Sequence, residues 1–232
     1  DIGKLGRLPE PTDEQIRFRA SSGGVISAIA HFLLESGQVD FILHVAADPV
    51  APLRSRIQVS VNRDEIIAGA SARYGPVAPL ESIGDLLDRG RPFAVIGKPC
   101  DIAGVRNLMR NDARAARLIR MTIDFFCAGV SSLRISEGIV GKYGLRPEDV
   151  KILRYRGHGC PGATRIEAQD GRVFTQSYDD TWSEELNQEI QFRCKICPDG
   201  TGEQADIACG DASIGVNPGD VARDWTGMTE MR

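Results

Sequence analysis

Three short apolar segments constrain the fold of this chain more than any other feature. Val39 to Ala46 (VDFILHVA) is nearly all apolar, Phe93 to Gly97 (FAVIG) is apolar throughout but for its closing glycine, and Ile119 to Phe126 (IRMTIDFF) supplies one more strand. A strand that is apolar on both faces must be covered on both, so the first two read as buried strands near the middle of a sheet. Helical patterns lie between and after them. Asn62-Arg63-Asp64-Glu65 has the form of a capping box opening a short helix to Ala70. Leu80 to Asp88, Asp101 to Met109 and Leu133 to Tyr143 supply further helices, and Ile57 to Val61 a further strand. The alternation predicts an α/β core, with a mostly parallel or mixed sheet, over about the first 145 residues.

The pattern then changes. Val150 to Tyr155, Ala163 to Ala168 and Arg172 to Tyr178 are short strand candidates, and Asp170-Gly171 is a hairpin turn between two of them. With a short helix over Glu184 to Gln191, they predict an antiparallel β-rich insertion around residues 146–195. Ser213 to Arg232 lacks periodicity and reads as an irregular tail, leaving residues 1–212 as the folded domain.

Composition narrows the function classes. A chain of 232 residues can bury a real core without a disulfide framework. A net charge of −4 argues against nucleic acid or an anionic membrane as the main partner. No apolar run approaches the roughly 20 residues of a membrane span, and no leader pattern opens the chain. It begins at Asp1 without methionine, which suggests a piece cut from a longer protein. For a cytoplasmic chain, six cysteines point to metal or redox chemistry rather than disulfides.

Two local features carry that chemistry. Ser21-Ser22-Gly23-Gly24 precedes an apolar stripe at helical spacing (Val25, Ile26, Ile29, Phe32, Leu33) that stops at Gly37. Taken alone this is an ordinary capped helix. It also leaves backbone N–H groups open at the positive end of a helix dipole, which suits a phosphate. The second feature is Cys194-Lys195-Ile196-Cys197, a spacing shared by zinc sites, iron–sulfur clusters and redox dithiols. Pro198 and Asp199, with Gly200 and Gly202 close behind, favour a loop there over a helix start. Cys100 and Cys127 each follow a strand, and the carboxyl ends of neighbouring parallel strands converge on a ligand crevice, so the four thiols could share one site. Cys209 lies in an apolar strand and reads as packing. Cys160, in the irregular glycine-rich loop with His158, has no assigned role, and His31 and His44 read as structural.

Gly97-Lys98-Pro99-Cys100-Asp101-Ile102-Ala103, Phe125-Phe126-Cys127-Ala128-Gly129, Arg193-Cys194-Lys195-Ile196-Cys197-Pro198-Asp199 and Ala205-Asp206-Ile207 resemble, in order and spacing, the coenzyme F420 hydrogenase/dehydrogenase beta-subunit family. The resemblance covers residues 15–211. It implies an iron–sulfur flavoprotein in which Cys100, Cys127, Cys194 and Cys197 bind a 4Fe–4S cluster. FAD would lie against Ser21, Ser22, Gly23, Gly24 and Ser27, and against the segment Ser71 to Pro76, which includes Arg73 and Tyr74. Lys98 and Pro99 would lie near the flavin, where Lys98 or Arg73 could stabilise its reduced, anionic form. Relatives often carry a ferredoxin-like cysteine segment ahead of this region, and this chain has no cysteine before residue 100. The resemblance implies an oxidoreductase that takes electrons from a ferredoxin or a partner redox subunit and acts on a small-molecule or deazaflavin substrate. It leaves a homo-oligomer open. The competing expectation is a binding module stabilised by a four-cysteine zinc site, without catalysis. A thiol–disulfide enzyme using Cys194 and Cys197 is a weaker third.

Overall fold

The computed structural model describes residues 13–159, 162–211 and 229–231. Asp13 opens α1 (Glu14–Arg19) by accepting from the backbone N–H groups of Gln15 and Ile16. A tight turn through Ser22, Gly23 and Gly24 leads into α2 (Val25–Glu35). The chain then forms β1 (Phe41–Ala47), β2 (Ser55–Ser60), α3 (Arg63–Gly69), α4 (Ile83–Asp88), β3 (Phe93–Gly97), α5 (Pro99–Asn111), α6 (Ala113–Leu118), β4 (Ile119–Phe125) and α7 (Leu133–Gly141). Next come β5 (Val150–Arg154), β6 (Thr164–Ala168) and β7 (Val173–Gln176). A helical turn, α8 (Tyr178–Asp180), runs into a π-helical stretch at Thr181–Leu186 and is followed by α9 (Phe192–Lys195), β8 (Ile207–Asp211) and β9 (Thr229–Met231).

The main sheet has the order β2-β1-β3-β4-β8-β9. β1, β3, β4 and β8 run parallel, and antiparallel β2 and β9 close its edges. The mixed α/β sheet expected from the apolar segments is therefore present. β8 returns to it after the antiparallel β5-β6-β7 sheet, which forms the expected insertion.

Alternation along the parallel strands sorts side chains to two faces. Phe41, Leu43, Phe93 and Val95 pack under α4, α5 and α6. Ile42, Ala94, Ile123 and Cys209 pack under α2 and α3. A third core joins the small sheet to α7 through Ile139, Val140, Leu153, Tyr155 and Ile166.

Three elements depart from the sequence expectations. The helix expected over Glu184 to Gln191 lies earlier, as the π-helical stretch at Thr181–Leu186. Cys194 lies in the one-turn helix α9, where glycine and proline downstream suggested loop. In the stretch read as an irregular tail, Thr229–Met231 pairs with β8. Positions 212–228 and Cys160 lie outside the described residues. Among the described residues no helix is long and apolar enough to cross a membrane.

Candidate functional site

The carboxyl ends of the parallel strands open onto a cavity of about 460 Å³, within the range of small-molecule sites. One wall is the turn between α1 and α2. Ser22 (φ 50°), Gly23 (φ 78°) and Gly24 (φ 80°) are all left-handed, a run that turns the chain sharply into α2. A side chain at Gly24 would bring its Cβ to 2.8 Å from Ile16 Cγ2 and 2.9 Å from the Ile16 carbonyl, so the turn is pressed against α1. α2 has no side-chain cap, and its first residues Val25, Ile26 and Ser27 line the cavity. Ser22 Oγ, in the same wall, is buried with no hydrogen-bond partner among the described residues. Ser21 Oγ accepts from the Ala72 backbone N–H at 2.9 Å, tying this wall to the segment that carries Arg73 and Tyr74.

Among the described residues, three cations and one carboxylate line the cavity: Arg73, Lys98 and Arg156 against Asp101. Lys98 Nζ reaches Asp101 Oδ2 at 2.5 Å, and the same oxygen accepts from the Lys98 backbone N–H at 3.1 Å, so the pair caps α5. Arg73 has a structural task. Its guanidinium donates to the carbonyls of Leu153 (3.0 Å), Pro52 (2.8 Å) and Arg54 (2.9 Å) and to Ser55 Oγ (3.2 Å). It straps the loop before β2 to the small sheet, and this differs from the expected role toward a bound anion. Tyr74 is partly buried, with its hydroxyl 3.0 Å from that of Tyr178, and desolvation holds its pKa well above the usual value.

Of the residues expected to bind cofactor, Ser21, Ser22, Gly24, Ser27, Arg73, Tyr74 and Lys98 line the cavity. Gly23 and Pro99 are not on its wall: Gly23 forms the back of the turn, and Pro99 is buried as the first residue of α5. Arg156, Tyr178 and Trp182 do line it and were missed. Arg156 stacks over the Tyr178 ring at 4.6 Å. These residues come from the β-rich insertion, where no local motif marks them. His44, read as structural, is buried beside the cavity with Nε2 2.8 Å from Ser60 Oγ, and burial lowers its pKa to about 4.

Among the described cysteines, Cys127 and Cys209 lie on the cavity wall and Cys100, Cys194 and Cys197 do not. Cys127 follows β4 and lines the cavity, with its N–H donating to the Gly200 carbonyl at 2.8 Å. Cys100 sits in the first turn of α5 and is exposed. Burial raises the Cys127 pKa, the neighbouring Cys100 and Cys194 raise it further, and Lys98 opposes them. Cys100, Cys127 and Cys194 therefore share one electrostatic neighbourhood. Cys197 faces its own loop, Sγ lying 3.3 Å from the Asp199 carbonyl. Among the described residues, no three or more His, Cys, Asp or Glu side chains are grouped closely enough to hold a metal. Cys209 packs in the core as expected and also lines the cavity, with its thiol pushed up to about 12 by burial and by the nearby Asp124.

Asp124, below the loop that follows Cys197, gave no sequence signal. Both its carboxylate oxygens are buried without a partner among the described residues, and a Cβ at Gly202 would overlap them. Burial, with Asp199 adding to it, raises its pKa to about 7.

Comparison with known proteins supplies the family. Residues 10–83 match the model for the N-terminal part of the coenzyme F420 hydrogenase/dehydrogenase beta subunit, and residues 90–229 match the model for its C-terminal part. The chain is 29% identical over 210 residues to the coenzyme F420 hydrogenase subunit beta of Methanococcus voltae, covering 86% of this chain and 69% of that protein. It is 24% identical over 204 residues to the coenzyme F420-dependent sulfite reductase of Methanocaldococcus jannaschii, covering 81% of this chain but 30% of that enzyme. Its fold is similar to a chain of the F420-reducing nickel–iron hydrogenase complex from Methanosarcina barkeri, with a TM-score of 0.66, 22% identity, and coverage of 95% of this chain and 79% of that one. The two matched segments meet within one sheet, since β1 comes from the first and β3, β4 and β8 from the second. With both segments matched in order, the chain belongs to the coenzyme F420 hydrogenase/dehydrogenase beta-subunit family.

Proposed function

We propose that the chain is an iron–sulfur flavoprotein oxidoreductase that relays electrons between a 4Fe–4S cluster and FAD, acting on a small-molecule or deazaflavin substrate. The observation that carries this reading is that the uncapped N-terminus of α2 and the segments bearing Cys100 and Cys127 line one cavity. The residues present fit a dinucleotide. Among the described residues, Ser22 Oγ lacks a partner, the α2 terminus favours negative charge, and cations outnumber carboxylates on the walls. The four thiols fit a cluster by residue type, and Cys100 and Cys194 are near enough to Cys127 to act on its charge.

In this reading Ser21, Ser22, Gly24 and Ser27 hold the pyrophosphate, and Tyr74, Tyr178 and Trp182 wall the cavity against water. Cys100, Cys127, Cys194 and Cys197 are the cluster ligands. Lys98, steadied by Asp101, sets a positive charge between the two sites, where it favours added negative charge on either. A flavin exchanges single electrons with a cluster and electron pairs with a substrate, which is the chemistry such a pairing supplies. The electron donor is a ferredoxin or a partner redox subunit. The names of the hydrogenase and sulfite reductase relatives favour a deazaflavin as the two-electron partner.

Anaerobic purification followed by the visible spectrum and by iron, sulfide and flavin analysis tests the reading. One flavin with four irons and four sulfides per chain is expected. A colourless protein containing one zinc would overturn it.

A further inference from the structure

Arg154 and Arg165 stand directly opposite each other across the β5–β6 ladder. Like charges in that position destabilise a sheet unless something offsets them. Arg165 has Glu167 at 2.7 Å. Arg154 has no carboxylate among the described residues: Nη2 donates to the Ala70 carbonyl at 3.2 Å, and buried Nε has no partner. Burial lowers the Arg154 pKa and Arg19, at the end of α1, lowers it further, which brings a third arginine into the group. A Cβ at Gly157 would lie 2.7 Å from Arg154 Nη2 and 2.8 Å from the Arg19 carbonyl, so only glycine lets this loop settle between the two.

The loop also holds His158 in a left-handed conformation (φ 60°). Its N–H donates to the Phe18 carbonyl at 2.6 Å, and its ring stacks on Phe18 at 4.9 Å with a 3° tilt. Phe18 is 56% exposed, so the stack faces outward. Desolvation lowers the His158 pKa, and Arg154, Arg165 and Arg19 lower it further, while Glu167 opposes them. The group borders the cavity, because Ala70, whose carbonyl Arg154 bonds, and Arg156, two residues further along the chain, both line it.

We propose that Arg19, Arg154 and Arg165, gathered around the Phe18–His158 stack, bind an anionic group, phosphate or carboxylate, carried by the substrate. Guanidinium groups suit both anions, and a bound anion would offset the repulsion across the ladder. The site is separate from the α2 terminus assigned to the flavin pyrophosphate. Its link to the substrate rests on the flavin reading of the cavity.

The test uses the flavin-loaded protein. Inorganic phosphate and glutarate are titrated at constant ionic strength by calorimetry, with the His158 ring signals followed by NMR. Saturable binding that shifts those signals is expected. Arg19→Gln and Arg165→Gln should each weaken it about tenfold, and together abolish it, with flavin content unchanged. Absence of saturable binding would overturn the proposal. So would loss of flavin from these variants, because the arginines would then serve the flavin's own phosphates. A colourless protein that still binds phosphate at His158 would instead overturn the flavin reading and leave the anion site standing.

Discussion

The two walls of the cavity are built in opposite ways. The cradle wall is made mainly from two stretches of chain, residues 16–27 and 70–75, locked together by hydrogen bonding and close packing. Its turn is pressed against α1, Ser21 bonds to Ala72, and the buried His44 beneath it is paired with Ser60. The cysteine wall draws on three segments far apart in sequence, and Phe192 and Ile196 beside its CxxC pair are 76% and 67% exposed. Beneath it Asp124 has no partner for either oxygen among the described residues. Packing thus specifies the cradle, whereas the cysteine wall derives little of its stability from packing.

Substitutions can sharpen or break that contrast. The largest effect is expected at the cysteines. Alanine at Cys100, Cys127, Cys194 or Cys197 should abolish bound iron and sulfide while leaving most of the flavin, as measured by elemental and absorbance analysis. If only Cys194 and Cys197 mattered, the four-ligand assignment would fall. Next is Gly24→Ala, which places a Cβ against Ile16 in a left-handed conformation. It should cost about 2 kcal/mol in denaturant unfolding and shed most of the flavin. An unchanged midpoint would show that the turn can relax and that the cradle is less rigid than its contacts imply.

A smaller effect separates the buried titratable groups. The Asp124 pKa is raised in the folded chain, so its contribution is fully present below about 3.8 and is lost as pH rises toward about 7. The His44 pKa is lowered, so its penalty grows as pH falls from 6.5 toward about 4. Asp124→Asn should therefore raise the melting temperature by about 5 °C at pH 8 and change it little at pH 4.5. An equal gain at both pH values would remove the carboxylate charge as the cause. The smallest effect is Ser22→Ala, which deletes an unpartnered hydroxyl. Stability should stay within about 0.5 kcal/mol while flavin binds about fivefold more weakly in an apoprotein titration. Unchanged affinity would remove Ser22 from the cradle.

Much of the fold was legible because burial leaves a strong imprint on strands such as Phe41–Ala47 and Phe93–Gly97. The Ser21–Gly24 turn was legible for a similar reason, since few residues tolerate that backbone. The Asn62 cap was also clear, its Oδ1 accepting from the Glu65 N–H at 3.0 Å. What was missed depends on tertiary contact. α1 is only one and a half turns long and depends on Asp13, which caps it and pairs with Arg63. Arg156 and Tyr178 become cavity residues only when the β-rich insertion folds back, and nothing in their local spacing reports that. Arg73 was legible as a site position but not in its task, because the carbonyls it bonds belong to segments distant in sequence.

The position of β8 bears on how the molecule assembles. Its start is fixed by Asp206, whose Oδ2 accepts from both the backbone N–H and the hydroxyl of Thr122, 84 residues earlier. Contacts that close so long a stretch carry a larger entropic cost and form late, after local pairings such as β1 with β2. During synthesis, β1, β3 and β4 with their covering helices can condense before Cys194 and Cys197 have left the ribosome. The strand that β4 waits for is also the one that draws the CxxC loop onto the sheet, so docking of β8 and assembly of the cysteine wall are one folding event.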